Sequence, residues 1–190
     1  WWMLCKKQEK IFFYRGLMMA DQDLTQSIKA AAEKAFRTAM NFHPNEEFCA
    51  FGLYSDEGAM TVCPSSNTKS YLAQKIKEDP EEKLYYKWST AEWKLEFYGH
   101  EWFEEIDKIL KAFHTKKHNQ KDFENFQSKL FESCVLALEQ LKTEGLFNDA
   151  IVVFSVSDYI NTPLEISWIK RLNNNNEAEE FEKWAKEQDE

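Results

Sequence analysis

Five polar residues stand where a ligand or a reacting group could be held: Asp56, Ser65, Asn67, Asp158 and Tyr159. Asp158 and Tyr159 come directly after the apolar run 150–156, and the crevice beyond the carboxyl end of a strand is a favoured ligand position in open α/β sheets. Ser65 and Asn67 belong to Ser65-Ser66-Asn67-Thr68, whose side-chain oxygens suit a helix N-terminus, a place that also attracts anions. Helix capping and turn formation call for the same residue types and are the competing explanation. The turn holds no glycine-rich loop and no lysine, so it is not a nucleotide cradle. His114 and His118 are four apart, a spacing one helix face could offer to a metal, but Lys116 and Lys117 lie between them and no third ligand is near. His100-Glu101-Trp102-Phe103-Glu104 lacks the second histidine of a zinc-protease helix. Cys63 would need a histidine beside it to act as a nucleophile, and free cysteines are among the most buried residues. No catalytic residue, metal or cofactor is assigned.

A second chemistry is recognition. Trp88, Trp93 and Trp102 are candidate anchors for a partner, because tryptophan is favoured at binding hot spots; burial in the core is the other reading. The formal net charge is −9, from 24 basic and 33 acidic residues. Nucleic-acid binding would need a basic patch, so that class is set aside and a basic protein partner is favoured. No run reaches the roughly 20 apolar residues of a membrane-spanning helix. Four cysteines with no C-x-x-C pair read as reduced thiols in a cytoplasmic protein.

The elements that would position these residues can be read from periodicity. Residues 1–18 hold four of the basic residues and one acidic residue and look foreign to the rest of the chain; Met19-Ala20-Asp21 reads as the start of the native chain, with Met18 as the alternative. A helix is expected over 23–40, with Leu24, Ile28, Ala32, Ala35 and Phe36 on one stripe. A β-hairpin is expected from 48–54 and 59–63, with Tyr54 opposite Ala59, Phe51 beside Val62, and Cys49 and Cys63 on opposite faces. Pro64 should end its second strand, and 65–68 should cap a helix from about 67 to 77. Asp79-Pro80 should open a further helix. A short edge strand is expected at 93–97, then helices over 101–114 and 123–143, the longest. The run 150–156 is apolar on both faces and is expected as a central, covered strand. Thr162-Pro163-Leu164-Glu165 should start another helix. An acidic helix or tail, 177–190, closes the chain around Phe181 and Trp184.

Several segments together carry a resemblance: Ala50-Phe51-Gly52-Leu53-Tyr54, Thr61-Val62-Cys63-Pro64, Tyr85-Tyr86-Lys87-Trp88-Ser89, Ala91-Glu92-Trp93, Phe154-Ser155-Val156-Ser157-Asp158 and Arg171-Leu172-Asn173. On these the chain from about Leu24 to Trp184 resembles the bacterial domain-of-unknown-function family 4303. The resemblance implies a compact α/β protein and carries no catalytic residues. Size, acidity and architecture are similar to those of immunity proteins of toxin systems, an analogy of fold. The expected fold is therefore α/β (α+β), one domain over 19–176, with a small sheet built on a hairpin and a covered strand and packed by about six helices. The expected function is non-enzymatic protein binding, with an immunity-type protein that neutralises a basic toxin as its specific form. The alternative is a small enzyme or ligand-binding domain with a polar site at the strand ends.

Overall fold

A computed structural model describes residues 24–188. The expectation for residues 1–18 and for a start at Met19 lies outside the described residues. Four strands form one mixed sheet: β1 (Phe48–Asp56), β2 (Cys63–Thr68), β3 (Leu95–Glu96) and β4 (Ile151–Ser157), in the order β3-β2-β1-β4. β1 pairs antiparallel with β2 and parallel with β4; β2 pairs antiparallel with β3. Seven helices are described: α1 over 24–42, α2 (Lys69–Glu78), α3 (Lys83–Trp88), α4 (Glu104–His114), α5 (Gln120–Thr143), α6 (Thr162–Leu172) and α7 (Asn175–Gln188). Short 3-10 turns occupy Thr90–Glu92 and His100–Phe103. The chain is a single α+β domain.

Strand alternation divides the interior into two cores. Phe51, Leu53, Val152 and Phe154 face α1, α4 and α5, where Phe36, Ile106, Leu110 and Leu138 are buried with them. Ala50, Ile151 and Val153 belong to the other core, with Trp88, Trp93, Ile166, Ile169 and Phe181. α6 serves both, giving Trp168 and Leu172 to the first and Ile166 and Ile169 to the second. α7 is a packed helix that buries Ala178, Phe181 and Ala185. Its acidity is largely paired: Lys87 reaches Glu180, and Lys170 and Lys186 both reach Glu182, holding that carboxyl near 2.

The hairpin register differs from the expected one. Tyr54 lies opposite Cys63, Leu53 opposite Pro64 and Phe51 opposite Ser66. Met60 is exposed rather than a strand partner, and Ala59 and Val62 enter the first core from the connecting loop. The cause is Asp56, whose carboxylate accepts the Met60 and Thr61 N–H groups and the Thr61 hydroxyl, widening the turn. Ser65-Ser66-Asn67-Thr68 is consequently strand, and only Thr68 caps α2, its Oγ1 accepting from Tyr71 N. A bulge between Phe48 and Ala50 turns Cys49 toward the second core. Cys49 and Cys63 are thus separated by strand length, roughly 17 Å over five residues, and both are free thiols. Asp79 ends α2 instead of opening α3, and Asn161, one residue before the expected box, caps α6.

β4 is covered on both faces as expected, yet it sits at the sheet edge rather than the centre. An apolar edge strand is a template for unwanted pairing unless it is closed. Asn173, just past α6, closes it at Val152: its Oδ1 accepts the Val152 N–H at 2.8 Å and its Nδ2 donates to Val152 O at 2.7 Å. One side-chain amide thereby replaces a neighbouring strand at that point. Asn173→Leu should keep the volume and lose both bonds, lowering stability in urea unfolding by about 2–4 kcal/mol. The same variant should aggregate more readily. A loss below about 0.5 kcal/mol, the range of a neutral surface change, would show that the clasp is incidental.

Candidate functional site

The sheet does not bring the five polar residues together. The parallel register sets Asp56 beside Ser157, and the Glu57 N–H donates to Ser157 O at 3.0 Å, so Asp56 and Asp158 lie at the same end of the sheet. Ser65 pairs with Gly52 and Asn67 with Ala50, progressively further toward the opposite end. The Asp56 carboxylate is engaged by its own loop. Asp158 is exposed, with a left-handed φ of 59° that its short polar side chain tolerates. Tyr159 packs its ring edge-on to Phe131, 5.6 Å between centroids, at the margin of the first core.

Ser65 and Asn67 are fully buried and belong to a polar seam that docks the segment 89–94 onto the sheet. Ser65 Oγ donates to Thr90 O at 2.7 Å, Thr90 Oγ1 bonds Ser155 Oγ at 2.8 Å, and Asn67 Oδ1 accepts from Thr68 N and Lys94 N. Gly52 makes room for this. An added Cβ would come within 3.0 Å of Thr90 Cγ2, Trp93 Cζ3 and Val153 O. Trp88, just before the segment, and Trp93, within it, are 2% and 3% exposed, so neither is available as an anchor. Their indole N–H groups are buried without a hydrogen-bond partner among the described residues, a desolvation cost offset by the surrounding packing.

Trp102 is different: it is 42% exposed. Its Nε1 donates to Thr38 Oγ1 of α1 at 3.2 Å, and Lys34 Nζ stands 5.0 Å from its ring. Gly99, at φ 87°, permits this approach, since a Cβ there would sit 2.8 Å from Ala35 Cβ. Phe42, four residues beyond Thr38 on α1, is 72% exposed. His43 beside it meets Tyr98 ring to ring at 5.6 Å. Phe97 is 51% exposed, stacks on His100 at 4.1 Å and holds φ 63°. A left-handed aromatic costs roughly 1–2 kcal/mol of backbone strain. Between residues 96 and 107 stand Glu96, Glu101, Glu104, Glu105 and Asp107, with no Lys or Arg. Phe42 and Trp102 thus flank Thr38 on α1, Phe97 lies on His100 close by in sequence, and of the neighbouring carboxylates Glu105 pairs with Lys108 and Asp107 with His100. Sequence reasoning picked out Trp102 but missed Phe42 and Phe97; the absence of Lys and Arg between residues 95 and 107 was the available signal.

Among the described residues no cluster of histidine, cysteine and carboxylate could hold a metal ion. His114 and His118 sit instead in an aromatic cluster: His118 stacks on Phe113 at 4.6 Å, and His114 Nε2 bonds Ala59 O at 3.1 Å. No helix among the described residues is long and apolar enough to cross a membrane.

Compared with known families, residues 24–174 match the model of a domain of unknown function, DUF4303. The chain belongs to the DUF4303 family. Neither the curated proteins nor the solved structures give a match. The DUF4303 match stops just before α7, although that helix completes the second core. The segments that carried the resemblance hold this DUF4303 domain together. Arg171 bridges α6 to α5 through Glu132 and Glu139 at 2.8 and 2.9 Å, Leu172 fills the first core, and Asn173 closes β4.

The DUF4303 thiols are held protonated. Burial pushes Cys49 and Cys63 up to about 11 and raises Cys134 as well. At pH 8 the Cys49 thiolate fraction is on the order of one in a thousand. Peptide-resolved iodoacetamide labelling of the native protein should therefore be slow at Cys49 and quicken about tenfold per pH unit until it levels near pH 11. Rapid labelling at pH 7 would mean that an activated thiol has been overlooked.

Proposed function

We propose that this DUF4303 protein is a non-enzymatic binding module that engages a basic protein through the surface of Phe42, Phe97 and Trp102. The observation that carries this reading is three large aromatic side chains left in solvent, Phe42 and Trp102 on either side of Thr38 and Phe97 five residues before Trp102 in a strained backbone, in a stretch where Glu101 and Glu104 have no salt bridge among the described residues. Aromatic groups supply the buried centre of an interface, and a charged rim steers encounter and selects the sign of the partner. An immunity-type role, with a basic toxin as the partner, fits this chemistry. So does a cytoplasmic setting, where thiols stay reduced. Nucleic acid would be repelled by the same surface. The strand-end carboxylates Asp56 and Asp158 remain the place to look for the alternative, an enzyme or ligand-binding domain.

The test is quantitative affinity capture with three baits: the native protein, Phe97→Ala and Trp102→Ala. Proteins enriched by the native bait and lost from both variants should be basic. Their association rate should fall steeply between about 50 and 300 mM salt, as for steered encounter, and either substitution should cost about 2 kcal/mol or more through faster dissociation. Trp88→Ala and Trp93→Ala should instead unfold the second core, lowering stability by about 3–5 kcal/mol. Enriched partners that are acidic, or indifferent to both surface substitutions, would contradict the proposal.

A further inference from the structure

We propose that the cleft where β1 and β4 begin is a small-molecule site for an organic cation with an apolar or aromatic body. The cleft has a volume of about 780 Å³, within the range of ligand pockets. It is walled by the loop 43–47, the first turn of α2, α3, the loop 146–150 and the first turn of α7. The half-buried Phe48 gives it an aromatic side, stacked at 5.3 Å on the buried Phe51, which Phe147 backs at 5.1 Å. Ile151 and the neutral Cys49 thiol extend that apolar lining.

The charges at the rim select the ligand. Lys69 and Lys87 line the cleft, but Lys69 is paired with Glu47 and Lys87 with Glu180. Glu46 is paired with Lys94. Asp149 and Glu177 also line the cleft and have no ion-pair partner among the described residues. Lys142 lies near Glu177, yet its Nζ donates to Leu172 O. An entering anion would meet two lysines already paired with carboxylates, together with Asp149 and Glu177, on which Lys69 and Lys142 act without forming a salt bridge. An entering cation would meet those carboxylates and the half-buried ring of Phe48, which can attract positive charge. This site does not rest on the protein-docking reading, because it involves neither Phe97 nor Trp102.

The test uses three probes of one shape: phenethylamine (cationic), 2-phenylethanol (neutral) and 3-phenylpropionate (anionic), added to the full chain. Amide shifts are followed by ¹H–¹⁵N NMR, and Cys49 alkylation at pH 9 by peptide mass spectrometry. Phenethylamine should shift the amides of Cys49, Asp149 and Ile151 and slow Cys49 labelling; phenylpropionate should do neither. The double substitution Asp149→Asn with Glu177→Gln should weaken phenethylamine about tenfold, the loss of charge-assisted bonds, while Trp102→Ala should leave it unchanged. The inference is overturned by no phenethylamine binding, by anion binding as strong as the amine's, by shifts confined to other regions, or by full affinity in the double variant.

Discussion

The parallel pairing of β1 with β4 is the constraint on which the rest depends. Parallel neighbours need a long crossover and burial on both faces. Here the crossover carries β2, β3 and α2 to α5, and the two faces become the two cores. A sheet so small leaves one of its most apolar strands at the edge. Three later residues manage that edge. Arg171 fastens α6 to α5, Leu172 anchors its end in the first core, and Asn173 bonds both main-chain groups of Val152. The second face imposes its own demand at Gly52, where Thr90 and Trp93 lie too close to β1 for any side chain.

Much of this was legible in the sequence. The apolar stripes of α1, α4 and α5 and the covered character of β4 follow from period and composition alone. So does the short strand after Trp93, although it is only Leu95–Glu96 long. What was not legible is where polar residues are paired by distant ones. Ser65-Ser66-Asn67-Thr68 looks like a cap until Thr90 O and Lys94 N, more than 20 residues later, satisfy Ser65 and Asn67. Asp56 looks like a tight-turn residue until it gathers Met60 and Thr61 and moves the register. Position in the sheet order depends on which strands find neighbours, and no single strand records that. The tryptophans divided for a similar reason: Trp88 and Trp93 point at a sheet whose face is completed by α6 and α7, whereas Trp102 rests on α1 with one side in water.

Pairing also decides which polar and charged groups are left over for the proposed recognition. The polar residues in the sheet interior are committed to docking the 89–94 segment, Asp56 to its loop and the acidic groups of α7 largely to lysines. Among the described residues, those left without a salt bridge include Glu101 and Glu104 beside the exposed Trp102, and Asp149 and Glu177 in the cleft. Recognition at these places needs no activated nucleophile, in keeping with thiols that burial holds protonated.

The most direct measurement is hydrogen exchange of the full chain with and without a basic protein retained by the native surface. Added protection is expected at 42–43 and 96–105, with the loops at 56–61 and 157–161 unchanged. Protection confined to those two loops, with none at 96–105, would contradict it and return the function to the strand ends.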